Sequence, residues 1–171
     1  MFAVILLASC TKEGPQGPKG DTGDQGPQGP AGTSGINELI YQIQPSEWTG
    51  PWDNGSGGTV YDADINVSFI TQDIVDYGAV LVYWKRYYDS GYSYYALPVP
   101  VVLNDNSTRL TSFEYWANNV RIHIQNTDNN THGYGAQTYK IVAIDGARLS
   151  TNPGVDLSDY ALVSKVFHLN E

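Results

Sequence analysis

Cysteine is almost absent. The chain has one, Cys10, so no disulfide forms within a single copy and a folded domain must hold itself together by packing. Basic residues are also scarce: nine Lys and Arg stand against eighteen Asp and Glu, for a formal net charge of −9. Scattered along an acidic chain, they leave no electrostatic footprint for nucleic acid, and no such partner is expected. Histidines number three, His123, His132 and His168. They stand far apart, form no HExxH and have no free Cys to join them, so no structural zinc site is expected. There is no Gly-x-Ser-x-Gly elbow, and the glycine-rich run Asn54-Gly55-Ser56-Gly57-Gly58 lacks the Lys-Ser/Thr of a phosphate-binding loop. Asp62 and Asp64 imitate a glycosidase pair, but two carboxylates two apart on a strand prove nothing. These absences point away from an enzyme: no catalytic residue, cofactor or metal is expected.

Glycine, by contrast, is placed with strict regularity. It returns every third residue at Gly14, Gly17, Gly20, Gly23, Gly26, Gly29, Gly32 and Gly35, which makes seven complete Gly-X-Y triplets and the start of an eighth. Proline fills four of the seven X positions, as Pro15, Pro18, Pro27 and Pro30. The collagen period has this form because three polyproline-II chains wind around one axis where only a hydrogen side chain fits. Proline at X pre-sets φ and reduces the entropy lost on ordering. Lys19-Gly20-Asp21 sets a cation beside a carboxylate that neighbouring chains can pair. The same tripeptide resembles short integrin-recognition sequences, but stalk stabilisation is its simpler role. The competing explanation, a floppy Gly/Pro linker, does not require an unbroken register. The reading is a collagen-like stalk over residues 14–35. Its seven triplets reach roughly 65 Å at about 3.1 Å per residue, and the wound form is a homotrimer. No imino acid occupies a Y position, so such a stalk needs help from its ends.

Before the stalk, Phe2 to Ala8 is an apolar run of seven residues. A bilayer span takes about 20, so the run reads instead as the core of a secretory signal over residues 1–9. No Lys or Arg precedes it, a departure from the usual charged start. Leu7-Ala8-Ser9-Cys10 resembles the lipobox of bacterial lipoproteins, which implies acylation of Cys10 and a lipid-anchored segment at residues 10–13. The partner so implied is membrane lipid; several acyl chains anchor firmly where one would be marginal. Thr11, rather than Asp, follows the cysteine, which by analogy favours the outer membrane.

The stretch 36–171 is long enough for one domain with a proper core. Its dominant period is two. Tyr61, Ala63, Ile65, Val67 and Phe69 alternate with Asp62, Asp64, Asn66 and Ser68, as in a half-buried strand. Val120 to Gln125 alternates as cleanly, and Leu39 to Ile43 and Thr138 to Ile144 read as strands too. Ala79 to Tyr88 and Tyr94 to Leu103 flank a five-residue hairpin loop, Asp89 to Ser93. Pro98 and Pro100 make the second arm an edge strand or a bend. Asn104 to Ser107 and Asn118-Asn119 read as turns, and Thr127 to Gly135 as a long polar loop. Short strands separated by turn signals predict a mainly β fold, an antiparallel β-sandwich. One short helix closes it over 157–168, with Tyr160, Val163, Val166 and Phe167 at helical spacing and Asp156 or Ser158 as cap.

Thirteen tyrosines make the chain rich in aromatics. Tyr83, Trp84, Tyr87, Tyr88, Tyr92, Tyr94 and Tyr95 cluster along the hairpin, with Trp48, Trp52 and Trp116 elsewhere. Exposed aromatic faces stack on sugar rings; core packing and cross-strand pairing are the competing explanation. Tyr88, Tyr92 and Tyr94, nearest the loop, are the candidate ligand-binding residues. Asp53, Asp62, Asp64, Asp73 and Asp76, and more weakly Asp105 and Asp128, offer hard oxygens for Ca²⁺, but no EF-hand spacing is present.

Taken together, the lipobox-like Leu7-Ala8-Ser9-Cys10, the glycine register and a β-rich domain with a terminal helix resemble the collagen-like lipoproteins of Bacteroidetes-type Gram-negative bacteria. Beyond the first 35 residues the likeness rests on Gly78 to Tyr83, Leu97-Pro98, Tyr139 to Val142 and the segment Asp159 to Phe167. The resemblance implies a cell-envelope location, lipid-anchored in the outer membrane and facing the periplasm or the cell surface. It implies a modular plan and no particular reaction. Three functions fit: structural or adhesive display, glycan binding as an accessory lipoprotein, and a non-catalytic subunit of an outer-membrane complex.

Overall fold

Alternation of apolar and polar side chains produces two antiparallel sheets. The computed structural model describes residues 35–103, 105–128 and 134–170. The chain divides into two units, Met1–Ala31 and Gly32–Glu171, and all described residues belong to the second. Cys10 and the glycines from Gly14 to Gly32 lie outside the described residues.

In chain order the strands are β1 (Ile36–Ile43), β2 (Thr49–Asp53), β3 (Thr59–Asn66), β4 (Ala79–Tyr88), β5 (Gly91–Ala96), β6 (Val99–Val102), β7 (Thr108–Trp116), β8 (Asn119–Asn126) and β9 (Gln137–Ile144). The helices are α1 (Gln72–Tyr77), α2 (Gly146–Thr151) and α3 (Tyr160–Phe167). One sheet has the order β1-β9-β4-β5 and the other β2-β3-β8-β7-β6. Between them lies one apolar core. Val80, Val82, Trp84, Ile141 and Ala143 from the first sheet meet Ala63, Ile65, Val120 and Ile122 from the second. The architecture is mainly β and sandwich-like.

The expected alternation on β3 holds, with Tyr61, Ala63 and Ile65 buried. The strand stops at Asn66, and Val67 to Ile70 form a turn whose Ile70 N–H donates to the Val67 carbonyl at 3.0 Å. β9 differs: Tyr139 to Ile144 are all buried, because helix α3 and Leu169 cover the face turned away from the core. Val163, Phe167 and Leu169 pack there against Tyr83, Val142 and Ile144.

Three expectations are corrected. First, among the described residues three short α-helices form rather than one, with a single 3-10 turn at Pro45–Glu47. Helices α1 and α2 have six residues each, too short for a periodic stripe; Thr71 and Asp145 cap them by accepting from Ile74 N and Arg148 N. Second, α3 starts at Tyr160, and its cap is Asp159, which accepts from Leu162 N at 3.1 Å. Asp156 accepts instead from the Ser158 N–H and hydroxyl, at 2.9 and 2.6 Å, and Leu157 packs into the helix-side core. Third, the hairpin turn is Asp89-Ser90. The strand resumes at Gly91, whose φ of 114° suits a residue without a Cβ. The second arm then divides. β5 ends at Ala96, and after the cis Leu97–Pro98 bond the chain enters the other sheet as β6. Both strands are sheet edges, where the missing N–H groups of Pro98 and Pro100 are tolerated.

Gly35, the one glycine of the register among the described residues, is buried at φ 68°. That is outside polyproline-II geometry. Its carbonyl accepts from Asp145 N at 2.8 Å, and a Cβ there would lie 2.2 Å from the Asp145 carboxylate. The fold, not the repeat, accounts for this position.

Candidate functional site

β4 pairs with β9 only as far as Lys85 opposite Thr138, since β9 begins at Gln137. It pairs with β5 on to Tyr88 opposite Gly91. The tip of the β4–β5 hairpin therefore runs past its neighbouring strand. Side chains alternate between faces. Tyr83, Lys85 and Tyr87, with Ala96, Tyr94 and Tyr92 across from them, share the face toward α3. Trp84, Arg86 and Tyr88 share the other with Tyr95 and Ser93.

The candidate tyrosines are thereby separated. Tyr92 and Tyr94 lie on the helix-side face. Tyr88 lies on the opposite face, its hydroxyl 3.3 Å from that of Tyr95. Tyr83 and Trp84 are buried, so core packing accounts for them. Tyr87 and Tyr92 are 69% and 62% exposed. Their rings meet edge to face at 5.3 Å, and the Lys85 ammonium stands 4.1 Å above the Tyr92 ring. Aromatic pairing accounts for the contact between these rings; their outward faces stay in solvent.

Two concavities flank the hairpin. On the helix side a cleft of about 1070 Å³ is lined by Lys85, Tyr92, Tyr94, Asp159, Tyr160 and Lys165. Tyr94 stacks on Tyr160 with centroids 3.9 Å apart and planes at 19°. Beneath them lies Lys140, fully buried and paired with Glu38 at 2.9 Å. Its ammonium also donates to the Tyr160 hydroxyl at 3.1 Å and to the Asn170 carbonyl. Burial pulls the Lys140 pKa down, but the Tyr160 hydroxyl and the Glu38 carboxylate outweigh it and hold it above its ordinary value. Burial works to raise the Glu38 pKa; the Asn170 N–H and the Lys140 ammonium reverse this and hold it below the ordinary value. The Tyr83 hydroxyl donates to the Leu157 carbonyl at 3.0 Å, and burial pushes its phenol well above the usual range.

The second concavity is a notch of about 480 Å³ where β4 overruns β9, lined by Gln42, Lys85, Arg86, Arg109, Gln137 and Thr138, with Tyr87 and Tyr92 at the hairpin. Arg86 stacks on Trp84 at 4.5 Å, and Arg109 on Tyr134 at 4.8 Å. Gln137 accepts the Trp84 indole proton at 3.0 Å. Arg109 and Gln137 do not stand out in the sequence as site residues; only the adjacent Lys85-Arg86 among aromatics offers a local signal.

On the outer face of the five-stranded sheet, Arg121 binds Asp64 through Nε at 2.7 Å and a terminal nitrogen at 2.9 Å. Those hydrogen bonds hold the Asp64 carboxyl below the usual range. His123 Nδ1 lies 2.7 Å from Asp62 and Nε2 3.4 Å from Glu114. Ser112 is opposite His123 in register, but both ring nitrogens already face carboxylates. Asp62 and Asp64 thus have cationic or imidazole partners. Asp53 and Asp105 accept from Gly55 N and Ser107 N, at 2.7 and 2.9 Å. Among the described residues, no three His, Cys, Asp or Glu residues group to hold a metal ion. Trp48 packs near Tyr134 at 5.7 Å, Trp52 is exposed on edge strand β2, and Trp116 lies under Arg121. His132 lies outside the described residues. Among the described residues, no helix is long and apolar enough to cross a membrane.

Comparison with models of protein families, with curated proteins and with solved structures finds no match.

Proposed function

We propose that this chain is a lipid-anchored cell-envelope protein that displays a β-sandwich head on a collagen-like stalk in an adhesive role. Cys10 is the anchor, residues 14–34 the stalk and the β4–β5 hairpin the adhesive tip. One observation in the head carries the adhesive part: Tyr87 and Tyr92 stand more than half exposed on a hairpin that overruns the sheet beside it. Scattered apolar residues are normal on a surface, but paired aromatics on a projection between two concavities have the character of a recognition surface. Anchor and stalk rest on the lipobox-like Leu7-Ala8-Ser9-Cys10 and the glycine period.

Glycan binding is a second reading, favoured by the cleft in which Tyr92, Tyr94 and Tyr160 gather. The experiment expresses the full chain in a Gram-negative host and follows membrane fractionation and cell attachment. Cys10→Ser is expected to release the protein from the membrane fraction. Tyr87→Ala with Tyr92→Ala is expected to leave it there but abolish attachment of the expressing cells. Attachment unchanged by the tyrosine pair defeats the adhesive reading.

A further inference from the structure

We infer that the notch beside the β4–β5 hairpin binds an acidic saccharide, its carboxylate held by Arg86 and Arg109, with Lys85 adding positive charge at the rim. The inference rests on the adhesive reading of the hairpin and names the chemical class of its ligand. The first observation is charge. In a chain of net charge −9, the fold brings three of its nine basic residues to one concavity. The cations of the outer sheet and helix-side core, Arg121 and Lys140, are matched by Asp64, Glu114 and Glu38. Lys85, Arg86 and Arg109 are not: among the described residues each meets aromatic rings, and no carboxylate lies within ion-pair distance. A guanidinium stacked on a ring keeps its planar fork of donors for an anion, and that fork matches a carboxylate. The Arg109 Nε–H is itself buried, with no hydrogen-bond partner among the described residues, a condition that costs free energy until an acceptor arrives.

The second observation is the remaining lining. Gln137 uses its carbonyl oxygen on Trp84, and its amide N–H groups have no partner among the described residues. Gln42 and Thr138 pair at the rim at 3.4 Å, a long contact that a hydroxyl can replace. Tyr87 and Tyr92 add ring faces at the hairpin. Beyond Lys85 the β9 side of β4 also has no strand neighbour among the described residues. Hydroxyl-matching amides, ring faces for sugar C–H groups and cations for a carboxylate together describe an acidic sugar better than a bare phosphate or a neutral glycan. The volume, about 480 Å³, lies within the range of small-ligand sites.

The test titrates the full chain calorimetrically with polygalacturonate, with the same polymer fully methyl-esterified, and with polyphosphate. Polygalacturonate is expected to bind. Affinity should fall about tenfold on esterification and again on Arg86→Gln, as for loss of a charge-assisted hydrogen bond. Binding by the unaltered chain should weaken steadily with added salt, a readout that needs no variant to fold. Equal affinity for both galacturonate polymers overturns the carboxylate assignment. Equal affinity for polyphosphate overturns the sugar assignment, and no binding to polygalacturonate overturns the inference outright. Each outcome is separate from the adhesive reading, which fails only if attachment survives the Tyr87 and Tyr92 substitutions.

Discussion

Lys140 is fully buried on β9, where a charge is expensive unless paired. Glu38, the Tyr160 hydroxyl and the Asn170 carbonyl pair it, tying strand β1, helix α3 and the carboxyl-terminal residues to the sheet. Removing one partner leaves the other charge stranded. Lys140→Met is expected to cost about 3 kcal/mol in urea unfolding, and combining it with Glu38→Gln should recover much of that loss. The pair also sets a pH window. Glu38 is held below its ordinary 4.5, so its contribution is present above that value and lost as pH falls through the folded-state value. Lys140 is held above its ordinary 10.5, so its contribution is present below that value and lost as pH rises through the folded-state value. Melting temperature measured against pH should therefore show an acid limb below about pH 4.5 that is shallower in Glu38→Gln; superimposable limbs would refute the assignment.

At the level of elements, α3 forms because Asp159 satisfies an N-terminal N–H and because Val163 and Phe167 bury one stripe on the sheet. Asp159→Ala should cost about 1 kcal/mol, while Asp156→Ala, in the exposed turn before the helix, should cost less; chemical denaturation of both variants checks the order. The helix was legible in the sequence through Tyr160, Val163, Val166 and Phe167, but its first residue was not. Asp156, Ser158 and Asp159 are all suitable caps, and Leu157 goes to the core instead of the first turn. Strand β7 was hidden for another reason. Arg109 and Thr111 lie on the same face as the core-packed Phe113 and Tyr115, while Leu110 and Trp116 lie on the other, so polarity does not follow the pleat. The sequence shows the first arm of the hairpin but suggests too long a loop, because Tyr92 and Ser93 look like loop residues until Tyr87 and Arg86 pair with them.

For the whole molecule, the proposed function would join a membrane anchor, a spacer and a head whose single sites are weak alone. Three heads on one wound stalk would convert weak binding into avid binding with no new contact. Light scattering on residues 11–171, with circular dichroism during heating, should give three times the chain mass and a separate low-temperature loss of the triple-helix signal. Gly23→Val should abolish both, since a side chain does not fit at the crowded axis. A single-chain mass for the unaltered protein would reduce the repeat to a tether.

Alternation alone determined that residues 36–171 are mainly strand, since period two is a property of the backbone and needs no knowledge of partners. One cysteine determined that no disulfide within a single copy holds the head together, and the glycine period is the sole basis for the proposed stalk. Which residues meet was decided by tertiary structure. Arg109 on β7 reaches the notch of Lys85 and Arg86 on β4 only because two sheets stack, and Tyr88 parts from Tyr92 only because β5 pairs in one register. Lys140 reads as an outward-facing polar residue until α3 closes over it. The reason is physical: periodicity is local, whereas burial and charge neighbourhoods depend on contacts between residues far apart in the chain.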